Sequence, residues 1–206
     1  MKLILVRHGE TYWNKERRVQ GGDSDIELND TGLGQAKKLA AFLKNEPIAA
    51  ILSSPLQRAI ATAEVIASRH KLPIEVDQGL KELRVGELEG MPVSNLRTTF
   101  RQFLMQWWQD GGATKLPNGE SFVELQQRAW KAVEHLLERH KTSLDHDERT
   151  TVAVVSHYFV TLAIIFKALD LPLDYLTRFK LDPGGVSILE FLDYGVRLVT
   201  FNDTSY

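Results

Sequence analysis

Cysteine is absent from this sequence of 206 residues. The absence excludes disulfide bonds, thiolate metal sites and cysteine nucleophiles, and it agrees with a reducing compartment. Long apolar runs are also lacking, since the longest ones, such as residues 162–166, fall far short of the roughly 18 residues that span a membrane. The apolar run at residues 3–6 ends at Arg7 and His8, which is too early for a signal peptide. We therefore expect a cytoplasmic protein with no membrane partner.

An excess of one charge is lacking as well. The 25 Lys and Arg residues nearly balance the 27 Asp and Glu residues, so the formal net charge is only -2. Such a chain has no overall field that would attract nucleic acid, and we expect no nucleic-acid partner. The glycine-rich motifs G-x-x-x-x-G-K-[ST] and G-x-G-x-x-G do not occur, which excludes the usual nucleotide cradles.

Apolar strands and amphipathic helices alternate along the chain. The composition, with 43% hydrophobic and 25% charged residues, is typical of a folded globular protein, and the length predicts one domain. Asn29 or Asp30 can cap the first predicted helix, and Ser54 the second. The alternation predicts an α/β fold, a three-layer sandwich whose mostly parallel sheet has helices on both faces. The predicted strands are residues 2–6, 48–52, 74–76 and 152–155.

The C-terminal region predicts a different kind of strand pairing. Two apolar runs, residues 186–192 and 196–201, are separated by a short turn and indicate a hairpin. A hairpin adds an antiparallel edge to the sheet. Because an exposed edge can pair with a second copy of the chain, a homodimer stays open as a partner arrangement.

The middle of the sequence is rich in aromatic residues. Residues 94–109 predict an amphipathic helix, and we interpret about 90–120 as a cap subregion inserted in a single domain of residues 1–206. The apolar stripe of this predicted helix consists of Leu96, Phe100, Phe103, Leu104 and Trp107. This stripe either packs in the core or presents an apolar face to a ligand. A capping box at 121–124 then predicts a helix to about His140, followed by a polar loop at 142–150.

Polar side chains follow three of the predicted strands. Arg7 and His8 come after the first strand, Ser53 and Ser54 come after the second, and Ser156 and His157 come after the late strand. In open parallel sheets, ligands bind beyond the carboxyl ends of the strands. The two histidines therefore meet if their strands are neighbours in the sheet.

Two arginines accompany these histidines. Arg7 precedes His8, and Arg58 stands in the first turns of a predicted helix. Guanidinium groups match phosphate oxygens in a bidentate manner, so the cluster indicates a phosphoryl ligand. Three alternatives stay open: the histidines could be structural, Arg58 could form a surface salt bridge, and the histidines could bind a metal, although the arginines would repel a cation. The acidic run at 23–27 lacks the glycine and final glutamate of a calcium loop, which makes it a solvated turn.

The ordered motifs resemble those of the histidine phosphatase superfamily, the phosphoglycerate mutase-like enzymes. They are Leu5–Thr11 (LVRHGET), Trp13-Asn14, Gln20-Gly21, Ser53–Leu56 with Arg58, Leu80–Glu82, Gly119–Ser121 and Val155–His157. The resemblance implies that His8 is a phosphoryl-accepting nucleophile and that Glu82 is the proton donor. It further implies that phosphoryl oxygens are bound by Arg7, Arg58 and His157, that the phosphate pocket is lined by Asn14, Gln20 and Gly21, and that no metal or organic cofactor takes part.

Within this superfamily the sequence is closer to the phosphatases than to the mutases. The segment from Glu82 to Gly90 lacks the mutase pattern and resembles broad-specificity and α-ribazole phosphatases. The implied activity is hydrolysis of a small phosphorylated metabolite. The alternatives are phosphoglycerate mutase-type transfer and a phospholigand-binding protein without turnover. Two residues depart from the family pattern: Leu88 stands where Trp is frequent, and Tyr158 stands where Gly is usual, so Tyr158 either narrows the substrate pocket or packs on the sheet.

Overall fold

A computed structural model of the protein describes residues 1–141 and 150–206. Its centre is a six-stranded sheet. The strands are β1 (Lys2–Arg7), β2 (Ile48–Ser53), β3 (Ile74–Val76), β4 (Thr151–Ser156), β5 (Val186–Leu192) and β6 (Gly195–Asp203). They lie in the order β3-β2-β4-β1-β5-β6, with the first four parallel and β5 antiparallel to both of its neighbours. The predicted mostly parallel sheet with an antiparallel edge pair is confirmed.

Helices connect the strands and include two in the aromatic middle region. They are α1 (Tyr12–Lys15), α2 (Asp30–Phe42), α3 (Gln57–His70), α4 (Val93–Thr99), α5 (Arg101–Gln109), α6 (Phe122–Lys141) and α7 (Tyr158–Ala168). Short 3-10 helices cover Leu43–Asn45, Gln78–Leu80, Gly86–Leu88 and Leu173–Arg178. Among the described residues, no helix is both long enough and apolar enough to cross a membrane.

The sheet separates two apolar cores, because successive side chains of a strand point to opposite faces. In β1, Leu3 and Leu5 pack into a core with the buried residues of α6 and α7. Ile4 and Val6 pack on the other face with α2 and α3. This alternation confirms the predicted sandwich of a sheet between two helix layers.

Two predicted helix starts are confirmed by their hydrogen bonds. The Asn29 side chain accepts a hydrogen bond from the amide of Gly32 at the start of α2. At the start of α6 the Ser121 hydroxyl accepts from the amide of Glu124, and the Glu124 carboxylate accepts from the amide of Ser121. These reciprocal bonds form the capping box that the sequence predicts.

Other details of the prediction are wrong. Ser54 does not cap α3, which begins at Gln57 with Leu56 as its N-cap. The Ser54 hydroxyl instead contacts Nε2 of His157 and accepts from the amide of Leu56, which precedes the helix. The single helix predicted at 94–109 is two helices, α4 and α5, since the backbone leaves the helical conformation at Phe100. Most of the polar loop predicted at 142–150 lies outside the described residues.

Candidate active site

The ends of β1 and β4 bring the two predicted histidines together. These strands are parallel neighbours, and their register pairs Arg7 with Ser156. His8 and His157 are the next residues, and their ring centroids lie 5.1 Å apart at an interplanar angle of 60°. The spatial meeting expected from the strand ends is confirmed.

The backbone fixes the tautomer of His8. Its Nδ1 lies 2.7 Å from the carbonyl oxygen of Gly9, which can only accept a hydrogen bond, so Nδ1 carries the proton. Nε2 is then the unprotonated nitrogen, and its lone pair accepts a hydrogen bond from the Nε–H of Arg58 at 3.3 Å. Burial, followed by the charges of Arg58 and Arg7, holds the pKa of His8 well below its ordinary value. The imidazole is therefore neutral at physiological pH.

Arg58 lies in the first turn of α3 and is fully buried, with 0% of its surface exposed. This burial excludes the surface salt bridge that the sequence left open. The two terminal nitrogens of Arg58 donate to the carbonyl oxygens of Ser24 and Gly21, each at 3.0 Å. Burial lowers the pKa of Arg58 to about 10, so the group stays charged at neutral pH.

Arg7 is the last residue of β1 and supplies the second cation. Its Nη1 donates to the carbonyl oxygen of Leu181 at 2.5 Å, and its guanidinium lies 5.3 Å from the centroid of the Tyr158 ring. Its Nε is buried and has no hydrogen-bond partner among the described residues. Burial lowers the pKa of Arg7, while the charge of Glu82 opposes that shift. One donor of Arg7 is thus left for a ligand.

His157 is the N-cap residue of α7, and Ser54 holds its ring. Nε2 lies 2.6 Å from the Ser54 hydroxyl, which itself accepts from the amide of Leu56. When Ser54 donates to Nε2, the proton of the neutral ring is on Nδ1, a buried atom with no partner among the described residues. Burial and the charge of Arg58 hold the pKa of His157 well below its ordinary value.

Glu82 is the buried carboxyl group of the cluster, with 3% of its surface exposed. One carboxyl oxygen accepts from the amide of Leu83 at 2.8 Å, and the other accepts from the amide of Phe159 at 3.2 Å. Burial raises the pKa of Glu82, although these two amides and the arginines pull it down. A carboxyl group with a raised pKa can keep its proton closer to neutral pH than an exposed one.

The loop that carries Glu82 is held by an ion pair whose role the sequence did not reveal. Arg128 of α6 donates to the carbonyl oxygens of Gly79, Lys81 and Glu82 at 2.8, 2.5 and 2.9 Å. The carboxylate of Glu120 binds Arg128 through both of its oxygens. Glu120 stood in a family motif without an assigned role, whereas no local pattern singled out Arg128.

Three residues of the predicted phosphate pocket lie near the start of the chain. Thr11 donates through its hydroxyl to Gln20 at 2.7 Å and donates through its amide to Asn14 at 3.2 Å. Asn14 and Gln20 line the cavity beside His8, and the amide nitrogen of the Gln20 side chain is a buried donor with no partner among the described residues. Thr11 was not predicted as part of this arrangement.

Gly21 does not line this cavity, and neither do Arg58 and His157, so the predicted place of Gly21 in the phosphate pocket stays a prediction. Its carbonyl oxygen accepts from Arg58, and its amide donates to Glu89 at 2.8 Å. A Cβ atom at Gly21 would lie 2.6 Å from a Glu89 oxygen and 2.7 Å from the carbonyl oxygen of Leu83. Close approach therefore requires glycine here, and Gly21 contacts Arg58, a residue predicted to bind phosphate, directly through its carbonyl oxygen.

A cavity of about 270 Å³ lies beside His8 and Glu82. Its polar lining consists of Arg7, His8, Asn14, Arg18, Gln20 and Glu82. One part of its apolar lining comes from the helices α4 and α5, namely Val93, Leu96, Leu104, Trp107 and Trp108. The rest of the lining comes from Val19, Leu83, Val85, Leu88, Leu116, Tyr158 and Phe159.

Tyr158 takes part in this lining. Its hydroxyl donates to the carbonyl oxygen of Phe179 at 2.9 Å, and its ring meets Phe159 edge to face at 5.1 Å. The ring therefore belongs to the cavity wall and is also anchored to the fold. Burial raises the pKa of the Tyr158 hydroxyl, so it is protonated at neutral pH.

The cluster is suited to the transfer of an anionic group. It offers an unprotonated imidazole nitrogen, two guanidinium groups, a second buried imidazole and a carboxyl group with a raised pKa. These are the groups that nucleophilic attack on phosphorus and protonation of a departing oxygen need. Among the described side chains, no group of three or more His, Asp or Glu residues is placed to hold a metal ion.

Comparison with known proteins assigns the family. A profile of the histidine phosphatase superfamily (branch 1) matches residues 3–204. The Probable phosphoglycerate mutase GpmB of Yersinia pestis is 38% identical over 138 residues, which are 67% of this chain and 64% of that protein. The match thus spans less than two thirds of that relative's length.

Solved structures with the same fold include several phosphatases. A mycobacterial glucosyl-3-phosphoglycerate phosphatase superposes with a TM-score of 0.88 at 26% identity and with 98% of each chain covered. The α-ribazole phosphatase of Shigella flexneri gives a TM-score of 0.83 at 26% identity, with 99% of this chain and 97% of that one covered. With the family profile spanning nearly the whole sequence, this chain belongs to the histidine phosphatase superfamily.

Proposed function

We propose that this protein is a phosphomonoester hydrolase that acts through a phosphohistidine on His8, with Glu82 as the proton donor. The observation that carries the proposal is the hydrogen bond from His8 Nδ1 to the carbonyl of Gly9, which leaves Nε2 unprotonated inside a cluster of cations. A neutral imidazole with an exposed lone pair is a competent nucleophile toward phosphorus.

In the first step Nε2 of His8 attacks phosphorus and forms the P–N bond. The P–O bond to the leaving group breaks, and its electron pair stays on the departing oxygen. Alkoxides are poor leaving groups, so the proton of the Glu82 carboxyl group goes to that oxygen as it departs. The products of this step are an alcohol, a phosphohistidine and a Glu82 carboxylate.

In the second step a water molecule attacks the phosphohistidine. The Glu82 carboxylate takes a proton from the water, the new P–O bond forms, and the P–N bond breaks with its electrons returning to Nε2 of His8. Inorganic phosphate leaves. His8 is neutral and Glu82 is protonated again, so the site is ready for another substrate.

During both steps negative charge is spread over the phosphoryl oxygens. The free Nε–H of Arg7, the guanidinium of Arg58 and Nδ1 of His157 are the donors that we assign to these oxygens. Removal of one preorganised donor from such a site costs about 2.7–4 kcal/mol of transition-state stabilisation. Because Gly21 and Ser24 hold Arg58 through their backbone, its position does not depend on the substrate.

We assign substrate selection to the segment of about 90–120, as a cap over the site. Its helices α4 and α5 contribute five residues to the cavity wall, whereas the cluster around His8 comes from strand ends, from α3 and from the loop that carries Glu82. The residues assigned to catalysis and the residues assigned to substrate selection thus lie in different segments of the chain.

A phosphoglycerate mutase is the second candidate, favoured by the 38% identity with a relative that carries that name. A mutase returns the phosphoryl group to the same carbon skeleton, whereas a hydrolase passes it to water. Incubation with 3-phosphoglycerate, with the 2-isomer and free phosphate measured in parallel, separates the two. We expect phosphate release to exceed isomerisation, and efficient isomerisation with little phosphate would reject the hydrolase.

The test of the proposal itself is hydrolysis of p-nitrophenyl phosphate by the parent and by the variant His8→Ala. We expect a loss of at least about 10³-fold in kcat, because the nucleophile is removed. His135→Ala is the matched control, since His135 is an exposed histidine of α6 outside the cavity, and it should keep full activity. Absence of hydrolysis in the parent would favour a phospholigand-binding protein, and equal rates in parent and His8→Ala would exclude His8 as nucleophile.

A further inference from the structure

The cavity beside His8 has two kinds of lining. One consists of charged and polar side chains, among them Arg7, His8 and Glu82, to which phosphate binding and transfer are assigned. The other consists of the apolar faces of α4 and α5 and of aromatic rings such as Trp108 and Phe159. A phosphate bound at His8 would therefore direct its ester group along apolar walls.

Charged partners for an acidic ester group are scarce along these walls. Apart from Arg7, His8 and Glu82, Arg18 is the one charged side chain among the described lining residues. Its Nε donates to Glu16 at 2.7 Å, and its Nη1 donates to the carbonyl oxygen of Gly90 at 3.0 Å. A carboxylate on the ester group would lose hydration along apolar walls and would meet only one cation there, which is half exposed and already paired with Glu16, so little of that loss is compensated.

The aromatic rings form a connected wall rather than scattered contacts. Trp107 and Trp108 meet edge to face at 4.9 Å, and Trp107 also meets Phe159 at 6.2 Å. Trp107 is buried and anchors this wall in the core, so Trp108 and Phe159 have fixed positions at the cavity. A preformed apolar wall favours a ligand group that needs no polar partner.

From this lining we infer that the preferred substrates are phosphate monoesters of uncharged, apolar alcohols that carry one ring or a branched chain of similar bulk. The inference rests on the proposed hydrolase function and adds its substrate class. A cavity of about 270 Å³ is small among ligand pockets and is of the size that a single ring with a short linker fills.

The test compares three esters with alkyl leaving groups, so that intrinsic leaving ability does not decide the result. They are 2-phenylethyl phosphate, ethyl phosphate and 3-phosphoglycerate. We expect kcat/KM for 2-phenylethyl phosphate to exceed that for each of the others by at least about 10-fold, because burial of a ring in an apolar pocket contributes that much discrimination or more. Equal values for the three esters, or a preference for 3-phosphoglycerate, would overturn the inference.

A charge placed in the wall gives the second arm of the test. Val93 is 41% exposed and lines the cavity, so Val93→Lys introduces a cation there with little risk to folding. We expect the ratio of kcat/KM for 2-phenylethyl phosphate over 3-phosphoglycerate to fall at least about 10-fold. Met105→Lys is the matched control, because Met105 is a 52% exposed residue of α5 that does not line the cavity, and its ratio should stay at the parent value.

The half-buried Leu96 of α4 provides an independent variant. Leu96→Ala should lower kcat/KM for 2-phenylethyl phosphate several-fold and leave ethyl phosphate nearly unchanged, since a two-carbon group reaches less of the wall. If neither Val93→Lys nor Leu96→Ala moves the ratios, the wall does not select the substrate and the inference fails.

Failure of the inference and failure of the proposed hydrolase give different results. If the parent releases no phosphate from these three esters or from p-nitrophenyl phosphate, the hydrolase function is rejected, and the substrate class falls with it. If the parent hydrolyses the esters without a preference for the ring, the hydrolase stands and only the substrate class is rejected.

Discussion

A single backbone contact decides which nitrogen of His8 can react. Gly9 accepts from Nδ1, and the buried Arg58 and Arg7 disfavour a second proton on the ring. Burial shifts the pKa of Glu82 in the opposite direction from that of His8, because it favours the protonated carboxyl group and so raises the pKa. In the proposed mechanism the two ionisable groups therefore have complementary roles, His8 as the nucleophile and Glu82 as the acid that later serves as the base.

Glu82→Gln tests the acid role through the leaving group. An amide cannot protonate a departing oxygen, so we expect hydrolysis of ethyl phosphate to fall about 10²–10⁴-fold. The loss with p-nitrophenyl phosphate should be clearly smaller, because p-nitrophenolate departs without a proton. Steady-state kinetics with both esters measure the difference, and Glu64→Gln on the exposed surface of α3 is the control. An equal loss with both esters would argue that Glu82 does not protonate the leaving group.

At this scale the sequence revealed the residues that follow strands and Arg58 at a helix start, the family resemblance added Glu82, Asn14 and Gln20, and Arg128 was missed. Arg7, His8 and His157 were found because the ends of parallel strands meet at one edge of the sheet. Arg128 supports the Glu82 loop from the middle of α6, and no local pattern distinguishes it from the other charged residues of that helix. Its role depends on tertiary packing that spacing alone does not encode.

At the scale of elements, the loop after Glu82 depends on a special backbone conformation. Gly86 has φ of +55°, and a Cβ atom there would lie 2.0 Å from the carbonyl oxygen of Pro117. Gly86→Ala should therefore lower the free energy of unfolding by about 2–4 kcal/mol. Gly34→Ala is the matched comparison, because Gly34 lies on the exposed side of α2 with open space around it, and it should raise stability by about 0.5–1 kcal/mol. Urea unfolding measures both, and equal effects would contradict the backbone argument.

The ion pair between α6 and the Glu82 loop makes a second prediction for the elements. Arg128→Met leaves three loop carbonyl oxygens and Glu120 without their donor, so we expect a loss of about 3 kcal/mol in the free energy of unfolding. Arg139→Met, on the same helix but with an exposed ion pair to Glu75, should cost no more than about 1 kcal/mol. Similar losses in the two variants would show that the Arg128 contacts do not stabilise the loop.

The strands were easier to predict than the helices. Residues 3–6 of β1 are all apolar because they are buried on both faces of the sheet between two cores, and such a run is recognisable in any sequence. The apolar stripe at 94–109 continues through Phe100, so the pattern gave no sign of the break there, which lies in the backbone and not in the side-chain spacing. Leu33 fits the apolar period of α2 and yet is 41% exposed, because the buried side of the helix is formed by Gly32, Ala36, Leu39 and Ala40.

At the scale of the whole molecule, the buried histidines link stability to pH. His8 and His157 have pKa values well below the unfolded value of about 6.5, so the unfolded chain takes up protons that the folded chain does not bind. Folding stability therefore falls as the pH drops through about 6.5. Glu82 acts in the opposite sense, because its raised pKa lets the folded state hold a proton that the unfolded state releases.

The double variant His8→Asn/His157→Asn isolates the histidine contribution. Between about pH 7.5 and pH 5.5 the parent should lose about 2–3 kcal/mol more unfolding free energy than the double variant, which retains Glu82 and the other titrating groups. Urea unfolding at the two pH values measures this difference. His135→Asn is the control variant, because His135 is an exposed residue of α6. Identical pH dependence in parent and double variant would mean that the two rings take up protons as readily in the folded protein as in the unfolded chain.

The central claim is that phosphate passes through Nε2 of His8. The most direct measurement is a single-turnover rapid quench into alkali with excess enzyme and p-nitrophenyl phosphate labelled in its phosphoryl group, followed by peptide mapping. The account predicts acid-labile, alkali-stable label on the peptide that contains His8, formed as fast as p-nitrophenolate is released and absent in His8→Ala. Release of p-nitrophenolate in a full turnover with the label on another residue, or with no labelled protein at any time, would contradict it.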